Sequence, residues 1–153
     1  MSDLERLLLE RELATVLHRY AELCDERNWA LIDQIFSADA TAQYGGRCLP
    51  NPAAVLGMLK DHLGGCGPTQ HLLGNLGVDI TTADGLPTVN SRIAVRAAHR
   101  GAGEKRHETY ECMGQYQDRW CKTDQGWRIA HRQMVVAFEF GNRRVLGPAL
   151  ADS

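Results

Sequence analysis

The sequence predicts an α+β fold in which a strongly curved antiparallel sheet wraps, as a cone, around three N-terminal helices. The hydrophobic period changes from helical to strand-like near residue 70, and four long strands joined by short turns then follow. Three amphipathic helices cannot cover both faces of such a sheet, so we expect the sheet to curve around them and enclose an apolar cavity. Glycines inside the strands suit this curvature, namely Gly74, Gly77 and Gly114.

The first helix begins at a capping box formed by Ser2 and Glu5. Its apolar residues recur every three or four positions, which is typical of one buried helix face: Leu13, Val16, Leu17, Tyr20, Ala21 and Cys24. Asp25 falls at the edge of that face, so its carboxylate is expected to be half-buried. The alternative is that Asp25 only ends the helix, since the next residues are polar.

Two shorter helices are predicted before residue 65. Asn28 is expected to cap the second helix, which carries Trp29, Ile32, Ile35 and Phe36 on one face. A turn at 37–39 and a brief strand at 41–44 follow. Asn51 and Pro52 predict the N-cap and first turn of the third helix. The glycine-rich segment 64–68 ends that helix and is a candidate lid.

Alternating apolar and polar residues predict strands at about 70–82, 88–99, 106–121 and 127–140. The second strand is expected to share one face among Val89, Ile93, Val95, Ala97 and His99, and the third among Tyr110, Cys112, Gly114, Tyr116 and Trp120. We expect one domain over residues 1–140. The C-terminal tail, 141–153, is expected to be loosely held or to reach a neighbouring subunit.

Composition and charge indicate an ordinary soluble globular protein, in which the predicted cavity would hold a small-molecule partner. The chain is 44% hydrophobic and 24% charged, with a net charge of −2, which disfavours nucleic acid. Five cysteines without a C-x-x-C pair predict reduced thiols and a cytoplasmic location. No apolar run is long enough for a membrane span. An exposed alternation of Arg128, Arg132 and Met134 would suit a homo-oligomer, either a dimer or a trimer.

No sequence motif predicts a cofactor or a metal. There is no H-E-x-x-H and no Cys/His set at zinc spacing, and neither a G-x-G-x-x-G nor a P-loop follows a strand. G-x-S-x-G is also missing, which disfavours a serine hydrolase. Histidine can transfer protons near neutral pH, and His71 stands at the start of a strand where the predicted cavity opens.

Three motifs carry a family resemblance. Tyr20 precedes Asp25 on the first helix, Thr69-Gln70-His71 opens a strand, and Gly-Trp-Arg-Ile lies at 126–129. Together they resemble the SnoaL-like branch of the nuclear-transport-factor-2-like superfamily, and within it the scytalone dehydratases, over roughly residues 8–140. The resemblance implies a cofactor-independent dehydratase in which His71 and Asp25 are the catalytic acid–base pair.

The resemblance also implies roles for other side chains. Tyr44 keeps the family's interval after the aspartate and would be the third catalytic residue. Tyr20, His99 and Gln115 would contact substrate, and Cys24 and Trp29 are further candidates for that contact. For each residue, a structural role is the alternative: core packing for the tyrosines and a backbone hydrogen bond for the histidines.

Three functions remain open from the sequence. The first is a lyase acting on a hydroxylated, carbonyl-bearing ring compound of polyketide, steroid or aromatic type. The second is an isomerase or polyketide cyclase that uses the same pocket with an acidic residue as the base. The third is a non-catalytic ligand carrier or small subunit. Fold-level analogy does not decide among them.

Overall fold

The computed structural model describes residues 1–150, so the last three residues of the predicted tail, 151–153, lie outside the described part. The long first helix, α1 (Asp3–Asp25), starts at the predicted capping box, in which Ser2 and Glu5 bond reciprocally. The predicted stripe of α1 is buried except for Ala21, which is half-buried, and Tyr20 is 1% exposed. The second α-helix, α2 (Pro52–Leu63), starts where Asn51 accepts a hydrogen bond from the Ala54 amide, as predicted.

The region between α1 and α2 differs from the prediction. Trp29–Gln34 forms a short 3₁₀ helix, and Asn28 makes no side-chain cap. Phe36 does not belong to that helix, because it starts strand β1 (Phe36–Tyr44). The predicted turn at 37–39 lies inside β1, where the pairing register shifts between Phe36 and Thr41. The segment that the sequence suggested as a turn is therefore an irregularity within the strand, in which the Ser37 hydroxyl donates to Asp39.

Five further strands complete one curved, unclosed sheet: β2 (Arg47–Leu49), β3 (Thr69–Ala83), β4 (Leu86–Arg100), β5 (Thr109–Thr123) and β6 (Gly126–Gly141). Their order is β2-β1-β6-β5-β4-β3. All neighbours pair antiparallel except β1 and β6, which are parallel. The predicted antiparallel sheet is therefore mixed at one position, because β1 returns beside the last strand of the chain.

The inner face of the sheet packs against the helices and carries the predicted residues. On β4 and β5, buried residues alternate with exposed ones, and His99, Tyr110 and Tyr116 are all less than a tenth exposed. Register places the alternate residues on the outer face, where Gln115 pairs with Ala94 and Val135. The inner and outer faces are thus set by the two-residue period of the strands.

The predicted exposed stripe on β6 is wrong. Arg132 is completely buried, and Arg128 is 7% exposed with its guanidinium bonded to the backbone carbonyls of Asp33, Gln125 and Trp127. Met134 packs against the core. A buried guanidinium needs hydrogen-bond partners, and both arginines find them inside the protein, so these side chains do not form an exposed interface.

Part of the predicted loose tail packs on the protein. Val145, in a 3₁₀ turn at Arg143–Val145, is 4% exposed. Gly147 joins the end of α2 through two backbone hydrogen bonds of 2.8 Å, one to His62 and one from Gly65. Within residues 1–150, no helix combines the length and the apolar character that crossing a membrane would require.

Candidate active site

The last residue of α1 and the third residue of β3 form the centre of the site. The Asp25 Oδ1 atom lies 2.7 Å from Nδ1 of His71, and Oδ2 accepts the His71 backbone N–H at 2.8 Å. The Thr69 hydroxyl donates to Oδ1 at 2.9 Å. Since an ionised carboxylate only accepts hydrogen bonds, Nδ1 carries a proton and Nε2 of a neutral His71 ring has a free lone pair.

The surroundings of Asp25 favour its ionised form. Burial alone would raise the pKa of Asp25, but the hydrogen bonds from the His71 ring, the His71 amide and the Thr69 hydroxyl outweigh it and hold the pKa below its ordinary value. The side chains of His71 and Asp25 are 7% and 19% exposed. Asp25 is therefore a fixed negative charge beneath a histidine that can gain a proton.

Arg27 holds this arrangement together, and the sequence analysis missed it. Its backbone is left-handed, with φ of 54°, which turns the chain sharply after α1. The guanidinium donates to the Thr69 hydroxyl at 2.8 Å and to the carbonyls of Leu63 and Gly67 at 2.9 Å. Thr69 thus accepts from Arg27 while it donates to Asp25, which links the end of α2 to the acid–base pair.

The glycine-rich segment before β3, predicted as a lid, is closely packed. A Cβ atom on Gly65 would lie 2.3 Å from the Pro148 carbonyl oxygen, and one on Gly67 would lie 2.6 Å from that of Gly101. Glycine is needed at both positions because the backbone approaches other backbone. The lid prediction is corrected accordingly, since this segment packs closely against Pro148 and against the chain at Arg100 and Gly101.

A second histidine, His99, stands beside the first. The rings of His71 and His99 meet edge to face, with centroids 5.7 Å apart. Nδ1 of His99 lies 3.1 Å from the Tyr110 carbonyl oxygen, so it donates to that oxygen. Burial lowers the pKa of His99 to about 4. His99 is therefore neutral at physiological pH and is 6% exposed.

Two tyrosines share a hydrogen bond inside the site. The hydroxyls of Tyr20 and Tyr44 are 2.8 Å apart. Burial raises the pKa of both phenols, although the nearby charge of Arg132 opposes the shift. Both phenols are neutral hydrogen-bond donors at physiological pH as a result, and one of the two hydroxyls still has its proton available for another acceptor.

Beneath the tyrosines lies an ion pair that the sequence analysis did not predict. Nε and Nη2 of Arg132 each lie 2.7 Å from a carboxylate oxygen of Asp118, and both side chains are fully buried. The guanidinium carbon lies 4.3 Å from the Tyr20 ring centroid and 4.0 Å from that of Tyr116. Nη1 has no hydrogen-bond partner among residues 1–150. This pair supports the tyrosine rings by cation–π contact.

These groups surround a cavity of about 200 Å³ between the sheet and the helices. Four of the sequence-predicted residues line it, namely Tyr20, Tyr44, His71 and His99. Asp25 lies behind His71. The remaining wall combines apolar and basic side chains: Arg47, Met58, Leu59, His62, Leu63, Ala97, Tyr110, Cys112, Tyr116, Met134, Val136, Arg143 and Leu146.

Three predicted contacts fall outside the cavity lining. Gln115 lies on the outer face and lines hollows there, because it alternates with the inward Tyr116. Cys24 is completely buried in the core, and Trp29 packs against the core at the 3₁₀ helix. The placement of these three residues at the substrate is therefore corrected.

A larger hollow, of about 780 Å³, lies on the outer face of the sheet. Its wall includes Arg92, Gln117 and Arg119, but none of the residues around His71. We place the site in the smaller inner cavity because proton-transfer groups, neutral donors and apolar walls converge there. No three His, Cys, Asp or Glu side chains within residues 1–150 converge in a way that could hold a metal ion.

Comparison with known proteins identifies the family to which this chain belongs. The model of the SnoaL-like domain matches residues 5–133, which is most of the chain. The chain belongs to the SnoaL-like domain family. This match confirms the SnoaL-like family predicted from the sequence motifs, and a solved protein of the nuclear-transport-factor-2-like superfamily shares the curved sheet around helices.

This SnoaL-like protein is similar to an uncharacterized protein of Mycobacterium tuberculosis, with 29% identity over 84% of this chain and 85% of the relative. Among solved structures, it resembles hexachlorocyclohexane dehydrochlorinase LinA-type3 of Novosphingobium barchaimii, with a TM-score of 0.76, 16% identity, and 99% and 100% of the two chains covered. A protein of Novosphingobium aromaticivorans, provisionally assigned as a scytalone dehydratase, matches with a TM-score of 0.74 and 18% identity over 97% of each chain.

Proposed function

We propose that this SnoaL-like protein is a cofactor-independent lyase of the dehydratase type that acts on a hydroxylated, carbonyl-bearing ring compound. The observation that carries the proposal is the His71–Asp25 contact of 2.7 Å at a cavity that Tyr20 and Tyr44 also line. Two structural relatives bear the names of elimination enzymes, a dehydrochlorinase and a dehydratase, and share the fold. Elimination needs a base near a carbon acid and an acid near the leaving group, and one histidine can supply both in turn.

In the proposed reaction, His71 is the base. The free lone pair of Nε2 takes the proton from the carbon alpha to the carbonyl, and the electron pair moves into an enolate. Asp25, which accepts from Nδ1, fixes the tautomer and stabilises the imidazolium that forms. The imidazolium then returns the proton to the departing hydroxyl, so that one water leaves and one carbon–carbon double bond forms.

The tyrosines would stabilise the enolate oxygen. Their burial keeps both phenols protonated, and the 2.8 Å hydrogen bond between Tyr20 and Tyr44 leaves one proton for a substrate oxygen. Donors aimed at a developing negative charge in a dry site contribute strongly to catalysis. The neighbouring Arg132 guanidinium favours negative charge at this end of the cavity. His99, neutral and adjacent to His71, would contact the substrate ring.

The isomerase and cyclase alternatives use an acidic residue as the base. Asp25 is poorly suited to that role, because three hydrogen bonds occupy its carboxylate and hold its pKa low. The cavity of about 200 Å³ is below the roughly 300–1,000 Å³ of drug-sized ligand sites, which favours a single ring over a steroid.

The test is a product-mass screen. The purified protein is incubated with single-ring β-hydroxy ketones and β-hydroxy acids, and the products are analysed by mass spectrometry, with His71→Ala as the matched control. We expect the mass of one water to be lost only with the wild-type protein. A product of unchanged mass would instead indicate an isomerase or a cyclase. Turnover of the same substrate at the wild-type rate by a folded His71→Ala protein would overturn the proposal.

A further inference from the structure

In the described part of the chain, the permanently charged side chains that line the cavity are two arginines, Arg47 and Arg143. Arg47, His62 and Arg143 line it together with His71 and His99, while no aspartate or glutamate belongs to the lining formed by residues 1–150. On the His71 side the carboxylate of Asp25 already accepts hydrogen bonds from His71 and Thr69. Thr69 in turn accepts one from Arg27. Two arginines at a cavity that no carboxylate of the described residues lines favour an anion there.

Arg47 carries an unpaired charge at this cavity. It stands at the start of β2, directly after the two-glycine turn that follows Tyr44, and is exposed. Its guanidinium makes no hydrogen bond or ion pair with any other residue in the described range 1–150, although its backbone pairs with Tyr44 in the sheet. An arginine that supports the fold normally engages carbonyls or carboxylates, as Arg27, Arg128 and Arg132 do here. Arg47 therefore has all of its donors available for a ligand.

Arg143 offers a preorganised edge for a carboxylate. Its Nη1 donates to the Glu139 carboxylate at 2.8 Å and to the Tyr110 hydroxyl at 3.0 Å. Both contacts use the same nitrogen, so Nε and Nη2 have no partner within residues 1–150. Those two nitrogens form the fork that binds a carboxylate through two parallel hydrogen bonds. Glu139 positions the guanidinium and does not line the cavity itself.

We infer that the substrate is an anion, a single-ring carboxylate whose carboxyl group binds Arg47 and Arg143 while its ring lies in the cavity beside His71. The volume of about 200 Å³, close to that of seven liquid waters, accommodates one ring. This inference rests on the proposed function for its reacting groups, but the anion preference belongs to the binding site alone and can be measured without turnover.

The experiment compares benzoate with benzamide, two ligands of the same size that differ in charge. Isothermal titration of the purified protein should show benzoate binding roughly tenfold or more tightly. The His71 ring signals in NMR spectra should move on benzoate addition, which locates the ligand in this cavity. Equal affinity for the two ligands, or no saturable benzoate binding, would overturn the inference.

Variants assign the preference to the two arginines. Arg47→Gln and Arg143→Gln should each reduce benzoate affinity by roughly fivefold or more and leave benzamide unchanged. Arg47→Lys should keep most of the preference, because the charge remains. The matched control is Arg119→Gln, an exposed arginine on the outer face, which should change neither affinity. The inference is contradicted if Arg119→Gln loses as much benzoate affinity as Arg47→Gln and Arg143→Gln, or if neither of those two variants loses any.

The two proposals fail separately. His71→Ala is expected to lose turnover and to keep the benzoate preference. If the preference is present and no substrate loses water, the lyase proposal fails and the anion site stands. If a substrate loses water but benzoate and benzamide bind with equal affinity, the anion site fails and the lyase stands.

Discussion

On the inner side of the sheet, Asp118 and Asp25 each bind a nitrogen atom of another side chain at 2.7 Å. The two pairs differ in role. Asp118 binds Arg132 through two hydrogen bonds, and neither side chain is exposed. Asp25 binds His71, whose ring lines a cavity and is slightly exposed. Arginine cannot release its proton, whereas histidine can gain and lose one near neutral pH.

Contact length therefore does not separate a catalytic pair from a structural one. What separates them is the partner's ability to titrate and its access to a ligand. By this criterion the proposed proton transfer belongs to Asp25–His71, whereas Asp118–Arg132 supports the tyrosine rings. The first pair should affect rate more than stability when it is changed, and the second should affect stability first.

The largest expected effect is on rate, from His71→Ala. Loss of general acid–base help should reduce kcat for the dehydrated substrate by roughly 10²–10⁴-fold. The free energy of unfolding should fall by only about 1–3 kcal/mol, because Asp25 loses the hydrogen bond from the ring but keeps those from Thr69 and the His71 amide. Rate assays and urea denaturation on the same preparation measure both quantities. A rate loss below threefold in the folded variant would remove His71 from the proposed chemistry.

Asp25→Asn tests the other half of the same pair. The amide keeps the size of the side chain but loses the charge that fixes the His71 tautomer, so kcat should fall by roughly 10²-fold or more. Thr69→Val is a useful companion, since it removes one hydrogen bond to Asp25 and keeps the charge. It should cost much less in rate than Asp25→Asn. Equal losses in the two variants would point to packing rather than to charge.

Asp118→Asn should have the opposite effect and lower stability more than rate. It leaves a buried guanidinium without its countercharge, and we expect a loss of about 3–5 kcal/mol in the free energy of unfolding, measured in urea. Replacing both partners, Asp118→Leu with Arg132→Met, should recover much of that loss, because no charge is then buried alone. A marginal effect of Asp118→Asn would contradict the structural role of the pair.

A smaller effect on stability is expected at acidic pH, because His99 has a lowered pKa. Burial lowers its folded-state pKa to about 4 from the ordinary 6.5, so between these values the unfolded chain binds more protons. Stability should fall as pH drops from 6.5 to 4, by up to about 3 kcal/mol from this one group. His99→Asn should flatten the dependence in that window. Asp25, with its lowered pKa, contributes only at more acidic pH.

The smallest effect, close to none, is expected from Gln115→Ala. The side chain lies on the outer face and away from the inner cavity, so kcat and KM should stay within about twofold of the wild-type values. Tyr116→Phe is the comparison variant for kcat and KM, because it changes the neighbouring residue, which faces inward, and keeps the ring that contacts Arg132. A strong loss of activity in Gln115→Ala would mean that the outer hollow takes part in binding.

Much of the fold could be predicted because its signals are local. The stripe of α1 and the alternation of β4 and β5 follow directly from residue spacing, and the caps at Ser2 and Asn51 follow from short-range hydrogen bonding. The same alternation places Gln115 outward once Tyr116 is inward. That local signal is more reliable here than the alignment with dehydratases, which placed Gln115 at the substrate.

The remaining features depend on long-range contacts. The parallel pairing of β1 with β6 joins residues that are about 90 positions apart. Asp118 meets Arg132 across a hairpin, and Arg27, whose backbone is left-handed, contacts Thr69, which is 42 positions away. No period in the sequence marks these contacts. His71 and Asp25 were joined by family resemblance, which supplied the long-range information that spacing lacks.

The most direct test of the account is the tautomer of His71, read from long-range ¹H–¹⁵N NMR spectra of the uniformly labelled protein at neutral pH. The account predicts a proton on Nδ1 and a free lone pair on Nε2, because Nδ1 lies 2.7 Å from the Asp25 carboxylate. Asp25→Asn should weaken that preference. A proton on Nε2 in the wild-type protein would contradict the account, because no lone pair would then face the substrate.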